Sequence, residues 1–349
     1  MEYRVFASCS IAAFLCLPLA AQAPSAQVTP AAKTATSSVK PNWTPPKTSW
    51  GDPDLQGQWP ATARIPMQRP ANLGNRAELT DAELAQRESQ FQKQASEDGE
   101  EFAKGNDVTI NPPSYWQERG KPDRQASLVV DPPDGRIPPL TPEGQAEVKA
   151  LRGGLGPGSH FPDKVDSWED FDIYSRCITR GLVSSMLPTL YNFGNEILQA
   201  PGYVIIRNEM IHETRVIPLD KRPHAGKDIT MYMGDSRGHW EGNTLVIETT
   251  NVRFNDMSHF GTQYDYGASD QNLNITERFT RPASDLLIYQ ATVNDPTVYT
   301  KPWTIEIPMS QAQGPIFEYA CHEGNYGLAG ILAGERAREK KAAEGNGGK

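Results

Sequence analysis

The side chains of this sequence best suited to exchanging protons near neutral pH are its six histidines, His160, His212, His224, His239, His259 and His322. All but the first fall in or beside the second half, and several sit among acids. The densest runs are Glu209-Met210-Ile211-His212-Glu213-Thr214-Arg215, Arg222-Pro223-His224, Gly234-Asp235-Ser236-Arg237-Gly238-His239-Trp240-Glu241, and Cys321-His322-Glu323. A carboxylate beside an imidazole fixes its tautomer and equips it as a general acid or base. The pattern nominates His212, His239 and His322 for proton transfer, with Glu209 and Glu241 to orient them or act as bases. Arg215 would hold an anionic or carbonyl oxygen, and His224, Asp235, Trp240 and Tyr232 would line a ligand site. The plainer account makes each a turn cap or loop hydrogen bond. The two accounts part on whether the rings converge.

Other chemistries are less well specified. Gly234-Asp235-Ser236-Arg237-Gly238 matches the G-x-S-x-G of a hydrolase elbow, which needs a strand-to-helix turn. Here the chain runs on through Gly242-Asn243 into another strand, a hairpin context. His212 and His224 stand twelve residues apart and could meet on adjacent strands, so a zinc or copper ion is a candidate cofactor, although no His-Glu-x-x-His is present. The Gly-rich run 151–158 lacks the Lys-Ser/Thr of a phosphate loop.

The elements that must position these groups change character along the chain. From Asn195, short β-rich runs recur between turn signals: Glu196–Gln199, Tyr203–Arg207, Thr214–Leu219, Ile229–Met233, Thr244–Thr249, Leu273–Phe279, Leu286–Val293, Trp303–Ile307 and Ile316–Ala320. Pro201-Gly202 and Gly242-Asn243 supply residues that tolerate positive φ in tight hairpins. This spacing predicts a mainly β fold, an antiparallel meander over 195–324 curling into a closed or nearly closed barrel. A barrel is favoured over a sandwich because closure removes exposed sheet edges. Residues 51–194 read as Pro-rich extended arms and short helices wrapping the core. Helices are expected from Thr80 to about Lys104, from Thr141-Pro142-Glu143, and from Trp168 towards Cys177. A C-terminal helix and tail, capped by Asn325, fill 325–349.

The first 23 residues carry Arg4, an apolar stretch Val5–Leu19 and a small-x-small site at Ala21-Gln22-Ala23, the pattern of a cleaved signal peptide. Residues 24–50, rich in Ala, Pro, Ser, Thr and Lys, read as a disordered tether. Export to the periplasm or beyond follows as an expectation, with no membrane span expected in the mature chain. With Cys9 and Cys16 in the leader, Cys177 and Cys321 are left to form one disulfide or to remain two buried thiols. The formal charge of −9 over 349 residues argues against nucleic acid as a partner. A small molecule is the expected partner.

Three phrases carry a resemblance: Ser127 through Thr141 (SLVVDPPDGRIPPLT), Arg176 through Gly181 (RCITRG), and Gly234 through Thr249 (GDSRGHWEGNTLVIET). They resemble an uncharacterised group of secreted bacterial proteins over roughly residues 51–337. The resemblance implies export and a shared core and names no reaction. The texture around Trp240 is also similar to lipocalin-like barrels. The combined expectation is an exported β-barrel enzyme of hydrolase or lyase type, using His and carboxylate chemistry on a small organic or sugar-like molecule. A non-catalytic binding barrel and a structural envelope protein are the alternatives.

Overall fold

Alternation of apolar and polar residues organises the second half. In Asn195–Ala200 (β3) and Tyr203–Asn208 (β4), Ile197, Val204 and Ile206 are fully buried while Leu198, Tyr203 and Arg207 face out. A computed structural model describes residues 43–103, 120, 122–146, 165–171, 173–188, 191–253 and 272–346. The expected signal peptide, most of the expected tether, His160 and His259 lie outside these residues.

Two antiparallel sheets result. One orders Gly57–Gln58 (β1), β3, β4 and Thr214–Pro218 (β5) as β1-β3-β4-β5. The other comprises Val129–Asp131 (β2), Asp235–Glu241 (β6), Thr244–Thr250 (β7), Asn274–Ala283 (β8), Leu286–Asn294 (β9) and Trp303–Ser310 (β10), in the order β2-β10-β9-β8-β7-β6. Tight hairpins set the registers: Gly202 (φ 79°) turns β3 into β4, and Gly242 (φ 60°) turns β6 into β7.

The two sheets share one core, in which Trp59, Ile217, Ile247, Phe279, Tyr289 and Ile305 are fully buried. No multi-residue ladder joins the sheets among the described residues. β5 runs beside β6, but Gly238 on β6 faces Leu219 and Ile217 so closely that a Cβ there would stand 2.7 and 3.0 Å from them. Side chains therefore occupy that seam. At the other margin the single bridge Gln58↔Ala312 ties β1 to the chain beyond β10, Ala312 N donating to Gln58 O at 2.9 Å.

The chain departs from expectation at four elements. Ile229–Met233 makes only one bridge, Met231 to Val252, and Ile316–Ala320 forms no strand. The run Asp235–Glu241, read as motif and turn, is a full strand. The third helix is one 3₁₀ turn, Trp168–Asp170, whose Ser167/Asp170 capping box cannot carry it through the tight turns at 173–177.

The remaining helices follow their caps. Asp81–Ala103 (α1) begins with Thr80 Oγ1 accepting from Glu83 N at 3.3 Å, while Glu83 Oε2 accepts from Thr80 N at 2.8 Å. Residues 142–146 (α2) start on Thr141 Oγ1, which accepts from Gly144 N at 3.0 Å. After Cys321–Gly324 (α3), Tyr326–Asn346 (α4) starts where Asn325 Oδ1 accepts from Leu328 N at 3.3 Å. No helix among the described residues is long and apolar enough to cross a membrane. Residues 43–50, assigned by composition to the tether, pack on the domain: Lys47 bridges Pro53, and the Arg281 guanidinium lies 5.9 Å from the Trp43 ring.

Candidate functional site

β5 alternates over Thr214 to Ile217, so Arg215 and Ile217 enter the core while Thr214 and Val216 face out. Arg215 reaches across to the other sheet. Its Nη1 and Nη2 donate to Glu277 Oε2 and Oε1 on β8 at 2.6 and 2.8 Å, and Tyr289 Oη of β9 donates to Glu277 Oε1 at 3.0 Å. The pair is sealed from water, with side chains 5% and 0% exposed. Burial works against the charge on Arg215, but the Glu277 carboxylate prevails and holds the guanidinium above its ordinary pKa. The same burial and the Glu277 charge push the Tyr289 phenol well up.

One end of this interior is polar. Asn195 on β3 and Asn208 at the end of β4 share a 2.6 Å hydrogen bond, and Ser236 meets Thr249 at 2.8 Å. The segment 177–187 covers this end: Thr179, Leu182, Val183, Ser184 and Met186 are buried, and Asn208 Nδ2 donates to Ser185 O at 3.5 Å. The Arg-Cys-Ile-Thr-Arg-Gly phrase thus leads into a plug.

Between β4 and β5 the chain turns through Glu209–Glu213 in an unusual way. Ile211 (φ 60°, ψ 17°) and His212 (φ 46°) both occupy the left-handed region. For a β-branched residue this is a real outlier, costing about 1–3 kcal/mol, and it persists because the surroundings enforce it. Asn208 N donates to Glu213 O and Glu209 N to Gly194 O, both at 2.8 Å. Asn192 Nδ2 holds Glu209 Oε1 at 2.7 Å, and Gly194 has no side chain because the other Glu209 oxygen fills that space.

The turn presents Glu213 at the polar end. Its half-buried carboxyl is hydrogen-bonded by Thr179 and lies within electrostatic reach of Arg215 and His212. Burial outweighs these partners and lifts its pKa above the ordinary glutamate value. Thr179 Oγ1 also approaches Met233 Sδ at 3.1 Å, and Tyr174 Oη approaches Met210 Sδ at 3.7 Å, closing the plug against the turn.

Tyr319 arrives from the C-terminal segment and hydrogen-bonds with both Tyr174 and Tyr191, its own phenol pushed up by burial and by these neighbours. The Arg180 guanidinium lies 5.9 Å from the Tyr174 ring. A disulfide holds this assembly: Cys177 and Cys321 are bonded, with Cα atoms 5.7 Å apart. Cys177 N donates to Tyr174 O and Cys321 N to Tyr319 O, both at 2.9 Å, so the bridge fixes two of the three tyrosines directly. Asn325 Nδ2 adds a bond to Ser175 O at 2.9 Å.

The nominated residues do not gather in one place. His212 is exposed on the strained turn beside Glu213, Glu209 is buried beneath it, and both Arg215 Nη groups are engaged by Glu277. His239 and Glu241 meet at 3.3 Å on the outer face of β6, where Arg278 donates to Glu241 at 2.6 Å and, with His239, lowers its pKa. At the start of the same strand His224 Nδ1 lies 3.1 Å from Asp235 Oδ2, which also accepts from Ala225 N at 2.8 Å, while Arg237 pairs with Oδ1. Burial pushes Asp235 up, but these donors prevail and hold it low. Trp240 points inward and packs on the core, Tyr232 lies 4.9 Å beneath the Arg253 guanidinium, and His322 is exposed on α3. Alternation along β6 explains the split: its odd-numbered residues face out and Ser236, Gly238 and Trp240 face in.

Ser236 is bonded to Thr249 within a strand, so the G-x-S-x-G elbow is not formed. Among the described residues no group of three or more His, Cys, Asp and Glu could hold a metal ion. Glu213 and the three tyrosines escape a reading centred on histidine. Glu213 was nevertheless within reach, since it shares the inward parity of Arg215, and Tyr174 and Tyr319 flank the two cysteines. Comparison with family models, with curated proteins and with solved structures returns no match to this chain.

Proposed function

We propose that this chain is an exported β-barrel enzyme that performs proton transfer on a small organic or sugar-like molecule at the plugged end of its barrel. In this reading the two sheets are the walls of one nearly closed, lipocalin-like barrel with its seam between β5 and β6. The interior is filled by Arg215, Glu277, Tyr289 and apolar side chains, which speaks against a ligand held inside it. The chemistry is therefore assigned to the end that carries Glu213.

The observation that carries this reading is Glu213: a half-buried carboxyl with a raised pKa, beside an imidazole, on a turn held in a strained conformation. A carboxyl whose pKa is raised by burial is a better proton donor than a free glutamate, and can serve as a general acid or donate a hydrogen bond to a developing oxyanion together with tyrosine hydroxyls. His212 is the matching base, and Tyr174, Tyr191 and Tyr319 supply the phenols. Glu209 acts through the turn as a positioning residue. The disulfide supports the export reading, since such bonds persist in oxidising compartments.

The test is a screen of purified mature protein against chromogenic esters and glycosides and against uronate-containing sugars, followed by E213Q and H212A. Loss of about 10²–10⁴-fold in kcat with E213Q is expected of a general acid. Unchanged turnover in E213Q would remove Glu213 from the chemistry.

A further inference from the structure

β10 is the last contributor to the hydrophobic core, and the chain beyond it is attached by other means. Among the described residues after Met309 none belongs to the core, and Glu335 alone is buried. Gln311 N and Ala312 N still donate to Asp285 O and Gln58 O, both at 2.9 Å. The chain then turns at Gly314 (φ 138°), where a side chain would meet no atom. From there its anchors gather on one stretch of the body, 165–191. Tyr319 hydrogen-bonds with Tyr174 and Tyr191. Asn325 Nδ2 donates to Ser175 O at 2.9 Å, and Arg336 donates to Asp166 O at 3.1 Å and to Val165 O. The Cys177–Cys321 bond is the covalent tie. Polar contacts of this kind each contribute little net stability, so a strap without buried apolar surface depends on that bond. Its helix α4 contains Gly327, Gly330 and Gly334, and each glycine weakens the helix once it is undocked.

The two sulfurs are not equivalent. Cys177 is 3% exposed, whereas Cys321 is only half-buried and is the more accessible of the pair. Asn325 Nδ2 donates to Cys177 Sγ at 3.5 Å, which favours charge on that sulfur as it leaves. We infer that this bond is a redox latch: a dithiol reductant attacking Cys321 Sγ releases the strap 313–346 from the body while both sheets stay folded. The reductant's thiolate forms a mixed disulfide with Cys321 as the Cys321–Cys177 bond breaks, and Cys177 leaves as a thiolate that takes up a proton. The reductant's second thiol then displaces Cys321. The reductant closes its own disulfide, and the protein gains two electrons and two protons as two thiols. Release carries Tyr319 away from Tyr174 and Tyr191. Tyr174 Oη lies 3.7 Å from Met210 Sδ, so release bares a phenol that backs the Glu209–Glu213 turn. The latch stands whether or not Glu213 is a general acid.

The test uses the full mature chain without denaturant, well below its melting temperature. Dithiothreitol followed by iodoacetamide should alkylate both Cys177 and Cys321. Hydrogen–deuterium exchange of the reduced, alkylated protein should then rise about tenfold or more at the backbone amides of 321–346, as the undocked helix frays, and stay within about twofold over β3 to β10. The monothiol glutathione, which stops at the mixed disulfide, should be found on Cys321. C177S/C321S should show the reduced pattern without reductant; reduced wild type gives the same reading with no refolding step. Four results would each overturn the latch: cysteines closed to dithiothreitol until denaturant is added, exchange at 321–346 unchanged by reduction, exchange rising across the strands as well, or glutathione on Cys177.

Discussion

Replacing Glu277 by glutamine isolates the interaction that ties the two sheets together. The wild-type pair is bidentate at 2.6 and 2.8 Å, supported by Tyr289 at 3.0 Å, and both partners are sealed from water. Removing one charge from such a pair strands the other in a medium that solvates it poorly, and the cost is about 3–5 kcal/mol. Tyr289→Phe removes only one hydrogen bond to the carboxylate and should cost about 1.5–3 kcal/mol. The double change Arg215→Met with Glu277→Leu removes both charges and keeps similar volume, leaving only the Tyr289 hydroxyl without its acceptor, so it should recover most of the stability that E277Q loses. Urea unfolding at neutral pH, followed by fluorescence, measures all four proteins on one scale. A loss below about 1 kcal/mol in E277Q would mean that water reaches Arg215 and that the sheets do not close over it. A double variant as unstable as the single one would likewise refute the argument from stranded charge.

Other outcomes follow from the same structure. The Cys177–Cys321 bridge spans 144 residues, so C177S/C321S should lose up to about 5 kcal/mol of stability, read by thermal unfolding; it should also shift the tyrosine near-ultraviolet circular dichroism as Tyr319 leaves Tyr174. Gly238→Ala places a methyl 2.7 Å from Leu219 at the seam and should cost about 1–3 kcal/mol, whereas Gly202→Ala meets no atom and bears only its positive φ. Glu213 gives a pH-dependent term whose sign is fixed. Its folded pKa is raised, so the unfolded chain ionises first. Stability from this group is intact below about pH 4.3, is lost as pH rises through the folded value, and then levels off. E213Q should therefore match wild type in acid and gain on it towards neutrality; a constant difference at every pH would contradict this.

Much of the β half could be read from local pattern, because hairpin turns and alternation act over a few residues. β3, β4 and β7 to β10 announce themselves through runs such as Tyr203–Arg207 and Leu286–Val293 set between glycine or proline turns. β6 does not. Its inward face is Ser236, Gly238 and Trp240, and its outward face is Asp235, Arg237, His239 and Glu241, so it lacks the apolar alternation that marks a strand. The demand for Gly238 comes from Leu219 and Ile217 on β5, a contact no local window contains. Ile316–Ala320 shows the converse: an apolar run that finds no partner strand and leaves Phe317 in water. Capping at Thr80/Glu83 and by Ser167 is local and so legible in the sequence, yet the second cap starts only one turn of helix. The site was hardest to see. His224 and His239 each find a carboxylate, but strand parity sends Asp235, His239 and Glu241 to the outer face. The tyrosine cluster depends on a crosslink between residues 144 apart.

The account stands or falls on whether the Glu213 carboxyl at the plugged end titrates above an ordinary glutamate. Carbon-13 NMR of glutamate-labelled protein, with E213Q to identify the resonance, follows that side chain directly as pH is varied. The structure predicts a midpoint above the free-glutamate value of about 4.3, and a midpoint at or below it would contradict the assignment.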